Sequence, residues 1–161
     1  MRSDGTIYFT DPDWQLGGRD SETDTTGVYR IAPGGEVDQF ETGLRNPNGI
    51  ALSPDERTLY VGSQNDPVMA YALAADGTVG ARSEFAGVSG TDGLAVDCAG
   101  NVYITAGQVQ VFDPDGEPLG TITAAETPAN VAFGGADRRT LYITARRGLY
   151  AIQLNVPGYP Y

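Results

Sequence analysis

The sequence predicts an all-β protein of the β-propeller class, holding about three to three and a half blades. Three observations carry this. A turn followed by an apolar strand with a tyrosine at its centre is written four times, at residues 3–10, 55–62, 99–105 and 137–144. The tyrosines of these phrases, Tyr8, Tyr60, Tyr103 and Tyr142, repeat at a period of about 40 to 50 residues, which is blade spacing. No segment between the turn signals has the length or the 3.6-residue periodicity of a helix.

The first repeat begins at its second strand, residues 6–10, and continues with 27–31 and 37–40. An innermost strand is missing, and residues 11–26 form a polar loop rich in Gly, Asp and Thr around Trp14. The second repeat is the most complete. Residues 49–52 form its innermost strand, and the turn Ser53-Pro54-Asp55-Glu56 uses Pro to set φ and Asp to hydrogen-bond locally. Strands at 58–62 and 68–73 follow, then the turn Ala75-Asp76-Gly77 and a short outer strand at 82–85. The third repeat copies this layout at 93–96, 101–105 and 109–112, with the turn Asp113-Pro114-Asp115-Gly116 before an outer strand at 119–123. The fourth has strands at 130–133, 140–144 and 148–152. Residues 155–161, with two prolines, are too short and broken for a further strand. One domain over 1–161 is expected, with blades at 1–44, 45–88, 89–126 and 127–161.

Closed propellers typically need about four to eight blades. An open arc leaves strand edges and apolar faces uncovered, so a second copy completing the ring, a homodimer, is the expected partner.

Composition narrows the chemistry. The net charge of −11 repels nucleic acid and anionic membranes, so neither is expected as a partner. The chain has no histidine, which removes Ser-His-Asp triads, Cys-His dyads and imidazole-based zinc sites. Cys98 stands alone within an apolar pattern, and a packed thiol is expected there. No apolar run has the length of a membrane span, and the first residues show no signal-peptide pattern. A cytoplasmic location is the expectation from these features.

Two positions recur in register. Asn48 precedes Gly49-Ile50-Ala51-Leu52, and Asp92 precedes Gly93-Leu94-Ala95-Val96. In a propeller the start of the innermost strand opens on the central channel, so the two side chains converge near the axis. Calcium takes six to eight such oxygen ligands. Both tripeptides are equally ordinary turn chemistry, since Asn and Asp before Gly suit tight loops. Asn130 is a third candidate, although Ala129 is the residue in register with Asn48 and Asp92. Asp11 and Trp14 are candidates for the channel mouth, with a turn cap at Asp11 and cover for a blade edge at Trp14 as the competing roles.

At these residues the chain resembles the senescence marker protein / gluconolactonase / luciferin-regenerating-enzyme-like family. The matching phrases are Thr6-Ile7-Tyr8-Phe9-Thr10-Asp11-Pro12, Arg45-Asn46-Pro47-Asn48-Gly49-Ile50-Ala51-Leu52, Thr91-Asp92-Gly93-Leu94-Ala95-Val96-Asp97 and Asn130-Val131-Ala132-Phe133-Gly134-Gly135. Gly148-Leu149-Tyr150 through Pro157-Gly158 resembles the family's usual end. The resemblance implies a six-bladed propeller hydrolysing lactones or related esters with a divalent metal, calcium foremost and zinc, magnesium or manganese as alternatives. It also implies a ligand set of one glutamate, two asparagines and an aspartate that doubles as base. Asn48 matches the second asparagine and Asp92 the aspartate, while the glutamate and the first asparagine have no counterpart here. Two functions are therefore expected to compete: a metal-dependent lactonase assembled from two copies with Asp92 catalytic, and a half-propeller that lost the chemistry and binds no metal.

Overall fold

The computed structural model describes all residues except Gln15, Glu22, Asp24, Thr25, Pro160 and Tyr161. Fourteen strands make four antiparallel sheets, and no helix occurs among the described residues. The first sheet holds β1 (Ile7–Asp11), β2 (Gly27–Ile31) and β3 (Val37–Glu41). The second holds β4 (Pro47–Leu52), β5 (Thr58–Ser63), β6 (Val68–Leu73) and β7 (Val79–Ala86). The third runs through β8 (Leu94–Val96), β9 (Val102–Ala106), β10 (Gln108–Phe112) and β11 (Pro118–Ile122). The fourth has β12 (Pro128–Gly134), β13 (Thr140–Ala145) and β14 (Gly148–Gln153). Each sheet is a meander of consecutive strands, and β4, β8 and β12 are the inner edges that meet one another.

The turns form for a reason repeated along the chain. A carboxylate accepts the backbone N–H two residues on: Asp4 from Thr6, Asp55 from Arg57, Asp76 from Thr78 and Asp137 from Arg139. In the 113–117 turn Asp113 has this role and accepts from both Asp115 and Glu117. Accepted hydrogen bonds hold the Asp4 and Asp76 carboxyls below the usual range, the Thr6 and Thr78 N–H groups contributing most.

The core is three separate layers, one between each pair of neighbouring sheets. The repeated phrase builds all three with one rule. Its tyrosine faces the next sheet, and its two flanking aliphatic residues face the previous one. Tyr8 packs with Leu59 and Val61, Tyr60 with Val102 and Ile104, and Tyr103 with Leu141 and Ile143. These three tyrosines are 7%, 4% and 6% exposed, whereas Tyr142, with no following sheet, is 39% exposed. At the other end Ile7 and Phe9, which flank Tyr8, are exposed for the same reason. Phe9 stacks on Tyr29 at 5.0 Å, so this outward face is itself apolar.

Polar links tie the first two sheets. The buried Arg2 donates to the carbonyls of Ala74 (2.9 Å) and Ala75 (2.8 Å), and the Tyr8 hydroxyl donates to Gly77 (2.6 Å). Glu41 accepts from the Tyr71 hydroxyl (2.8 Å) and the Arg82 guanidinium (2.6 Å).

One local expectation changes. Cys98 is exposed, because the inner strand stops at Val96 and Asp97 turns the chain; its thiol donates to the Gly158 carbonyl at 3.3 Å. As expected, the described residues after β14 add no sheet strand. They cross back to the third sheet through a single bridge between Asp97 and Gly158, with Cys98 N–H donating to Pro157 and Tyr159 N–H to Val96.

Candidate active site

Asn48 is the second residue of β4, and Asp92 stands two residues before β8, at the same end of neighbouring inner strands. Close backbone approach brings them together. A Cβ on Gly49 would lie 2.3 Å from the Asp92 carbonyl oxygen, and a Cβ on Gly93 would lie 2.0 Å from Asn130 Oδ1. Glycine after each candidate thus lets one inner strand press on the next. The result is a direct contact: Asn48 Nδ2 donates to Asp92 Oδ1 at 3.1 Å and to the Thr91 carbonyl at 3.2 Å.

Hydroxyls at the ends of the second strands fix the backbone under these residues. Thr10 donates to the Asn48 carbonyl at 2.7 Å. The fully buried Thr105 accepts from Gly93 N–H (2.7 Å) and reaches the Ala129 carbonyl (3.0 Å), while Asp92 N–H donates to the Thr105 carbonyl. Sequence reasoning missed these threonines. The signal was present, since three of the four repeated phrases end in Thr, at Thr10, Thr105 and Thr144.

Of the remaining candidates, Asp11 and Asn130 border other cavities, and Asn130 also lies against Gly93. Asp11, at the end of β1, borders a separate cavity of about 260 Å³ with Pro12, Asp13, Leu16 and Arg19. Trp14 sits in a turn of the same loop, 40% exposed. Asn130 is exposed on β12, its Oδ1 taken by the Val131 N–H at 2.8 Å, and it borders a cavity along the inner strands with Ile50, Leu52, Leu94 and Phe133.

Asp92 itself opens on a cleft of about 480 Å³ together with Gln64, Thr127, Ala129, Thr144 and Arg146. That volume falls in the range of about 300–1,000 Å³ typical of small-molecule sites.

The pair has the right chemistry for part of a hard-cation site. The Asn48 amide is oriented by its two donated bonds, and among the described residues neither Asn48 Oδ1 nor Asp92 Oδ2 has a hydrogen-bond partner. These are two oxygens of the six to eight that calcium takes. No group of three or more His, Cys, Asp or Glu able to hold a metal occurs among the described residues. The pair would supply two of those oxygens, and water or further oxygens would have to supply the rest.

Comparison with known proteins gives a consistent answer. Residues 1–147 match the model of the SMP-30/Gluconolactonase/LRE-like region. The chain is 34% identical to the gluconolactonase of Zymomonas mobilis, over 96% of this chain and 49% of that protein. It superimposes on a gluconolactonase from Xanthomonas campestris with a TM-score of 0.83 and 35% identity, covering 98% of this chain and 55% of the other. It shares its fold with regucalcin of Agrobacterium tumefaciens, a calcium-binding protein, at a TM-score of 0.80 and 24% identity, covering all of this chain and 61% of that one. The chain therefore spans about half the length of the relatives it matches. Family model, sequence identity and superposition agree, and the chain belongs to the SMP-30/gluconolactonase/LRE-like family of β-propellers.

Proposed function

We propose that the protein hydrolyses a sugar-type lactone, gluconolactone or a close analogue, at the Asp92 cleft of an assembled propeller. The observation that carries the reading is the 3.1 Å contact between Asn48 and Asp92 beside a cleft of small-molecule size, in a chain 34% identical to a gluconolactonase. Asn48 Oδ1 and Asp92 Oδ2 are the atoms that would hold a divalent cation, calcium foremost. Such a cation supplies Lewis-acid polarisation of the lactone carbonyl. The Asp92 carboxylate takes a proton from the attacking water as its oxygen bonds to the carbonyl carbon. The ring C–O bond then breaks, the former ring oxygen leaves as a hydroxyl after accepting a proton, and a hydroxy acid results. Asn48 holds Asp92 in place through its amide N–H, and Thr105 fixes the backbone beneath it.

The site has two of four protein ligands, so the reading includes a second copy closing the ring and contributing its own Asn48 and Asp92. The terminal faces support that assembly. Tyr142 and Leu149 on the last sheet and Ile7, Phe9 and Val37 on the first are exposed apolar residues. Tyr142 has the forward position of Tyr8, Tyr60 and Tyr103, and Ile7 with Phe9 has the backward position of Leu59 with Val61. Head-to-tail contact between copies would repeat the interface already made three times within the chain.

Gluconolactone hydrolysis followed by pH-stat, with calcium and with chelator, tests the function. A chelator-sensitive rate above the spontaneous one supports it. A rate equal to background at micromolar and higher protein concentration, in a sample without bound metal, favours a non-catalytic half-propeller.

A further inference from the structure

We propose that Arg146 makes the Asp92 cleft a binding site for a sugar acid or lactone with an anionic group, a phosphate above all, at the end remote from the reacting carbonyl. The inference rests on Asp92 marking the reacting end, and it adds a recognition element that the lactonase reading leaves open.

Three observations at one residue carry it. Arg146 is the only base, and Asp92 the only acid, among the described residues lining the cleft. Arg146 forms no ion pair or hydrogen bond among the described residues, although the adjacent Arg147 is held by Glu126 at 3.5 Å. Among the described residues the side chains of Arg138 and Arg139 also form no ion pair or hydrogen bond, and Arg146 differs from them in lining the cleft.

The backbone supplies the third observation. Arg146 lies in the β13–β14 hairpin with φ of +36°, in the left-handed region. The corresponding β9–β10 hairpin places Gly107 there, with φ of +72°, and Gly107 lines the same cleft. A glycine adopts this conformation without steric penalty, whereas a residue with a Cβ does so at a cost. One hairpin leaves its wall bare at this position; the other accepts strain and presents a fork of N–H donors. The same left-handed φ occurs at Glu56 and Arg138 in turns away from the cleft, so the conformation fixes where Arg146 stands and the ligand argument rests on its place on the cleft. The guanidinium fork matches the geometry of phosphate and carboxylate oxygens, which it binds bidentately. Thr127, also on the cleft, offers a hydroxyl to the same ligand, while the Thr144 hydroxyl donates to the Asn130 carbonyl at 3.3 Å.

The opposed charges give the site a direction. An anionic group is repelled by Asp92 and drawn to Arg146, so a bifunctional ligand settles with its carbonyl end toward Asp92. The cleft volume of about 480 Å³ accommodates a six-carbon acid with one phosphate.

Isothermal titration calorimetry with gluconate and 6-phosphogluconate tests the proposal without requiring turnover. The expected result is about tenfold tighter binding of 6-phosphogluconate, the scale of a charge-assisted contact. R146Q abolishes the difference, and R146K retains part of it. R146G also abolishes it while raising the melting temperature by about 2–4 °C, since the left-handed strain is relieved. Equal affinity for the two acids, no binding of either, or a preference that survives in R146Q overturns the proposal. Arg146-dependent binding with no lactone hydrolysis would defeat the lactonase reading alone. Hydrolysis of gluconolactone with no preference for the phosphorylated acid would defeat this one alone.

Discussion

Replacing Gly49 by Ala tests the geometric basis of the site, because only a missing side chain lets β4 lie against the residues that enter β8. The added methyl would stand 2.3 Å from the Asp92 carbonyl oxygen, 3.0 Å from Leu94 Cγ and 3.1 Å from the Gly93 carbonyl carbon. Ordinary contact for a Cβ begins near 3.4 Å, so the strands must separate by about 1 Å. Two of the three obstacles are backbone and cannot swing aside. Overpacking of this kind costs about 1–3 kcal/mol. In a domain of this size each kcal/mol lowers the melting temperature by about 2–4 °C, so a fall of roughly 2–12 °C is expected. The same movement stretches the Asn48–Asp92 bond from 3.1 Å past hydrogen-bonding distance, so the Asn48 side-chain amide resonances should shift in a two-dimensional NMR spectrum. Gly34→Ala is the control, since nothing lies within 4 Å of a Cβ there and its φ is not left-handed. Circular dichroism melts of both variants decide the matter. If G49A melts with the wild type and leaves the Asn48 amide unmoved, the inner strands are not held together by backbone approach at this glycine.

Three further outcomes are expected. Asp97→Ala removes a fully buried acceptor of four hydrogen bonds, from the N–H groups of Ala99 and Asn101, the Asn101 amide and the Tyr103 hydroxyl. At about 1–3 kcal/mol for each donor left unsatisfied, urea denaturation should show a loss above about 3 kcal/mol, and a loss below about 1 would refute the hub. Burial pushes the Glu41 carboxyl up, but Gly43 N–H, the Tyr71 hydroxyl and Arg82 hold it below the usual glutamate range. A carboxyl lowered in the folded state contributes stability above its unfolded pKa and loses it as pH falls through the folded value. Denaturation midpoints from pH 7 to 3 should therefore fall in the acid range, and E41Q should be less stable at pH 7 with a flatter acid slope; an unchanged slope contradicts the assignment. Phe9→Glu places a charge on the exposed face of β1 without touching a buried layer, so light scattering should show a monomer with unchanged circular dichroism, and a persistent dimer would exclude this face from the interface.

Much of the fold was legible because the turn-and-tyrosine phrase serves local and tertiary structure together. Its Asp and Gly make the turn, and its Leu-Tyr-Val alternation fills a layer on either side of one strand. The proximity of Asn48 and Asp92 was legible for a related reason, since equal register on neighbouring repeats places both at one end of the inner strands. Other features were not. Cys98 looked packed because Leu94-Ala95-Val96 precedes it, yet Asp97 ends the strand by capturing the backbone of Ala99 and Asn101. The course of residues 155–159 depends on backbone bonds to Val96, Cys98 and Arg138 that no local pattern announces. Nothing in the sequence sets Arg146 apart from the adjacent Arg147; its φ and its place on the Asp92 cleft are tertiary facts.

Activity measured across a dilution series most directly tests whether Asn48 and Asp92 of paired copies form one lactonase. The rate of chelator-sensitive gluconolactone hydrolysis per chain is followed from high micromolar to nanomolar protein, with light scattering on the same samples and Asp92→Asn in parallel. The expected result is a specific activity that falls together with the dimer fraction and is absent in D92N at every concentration. Activity that stays constant in a monomer, or that survives in D92N, contradicts the account.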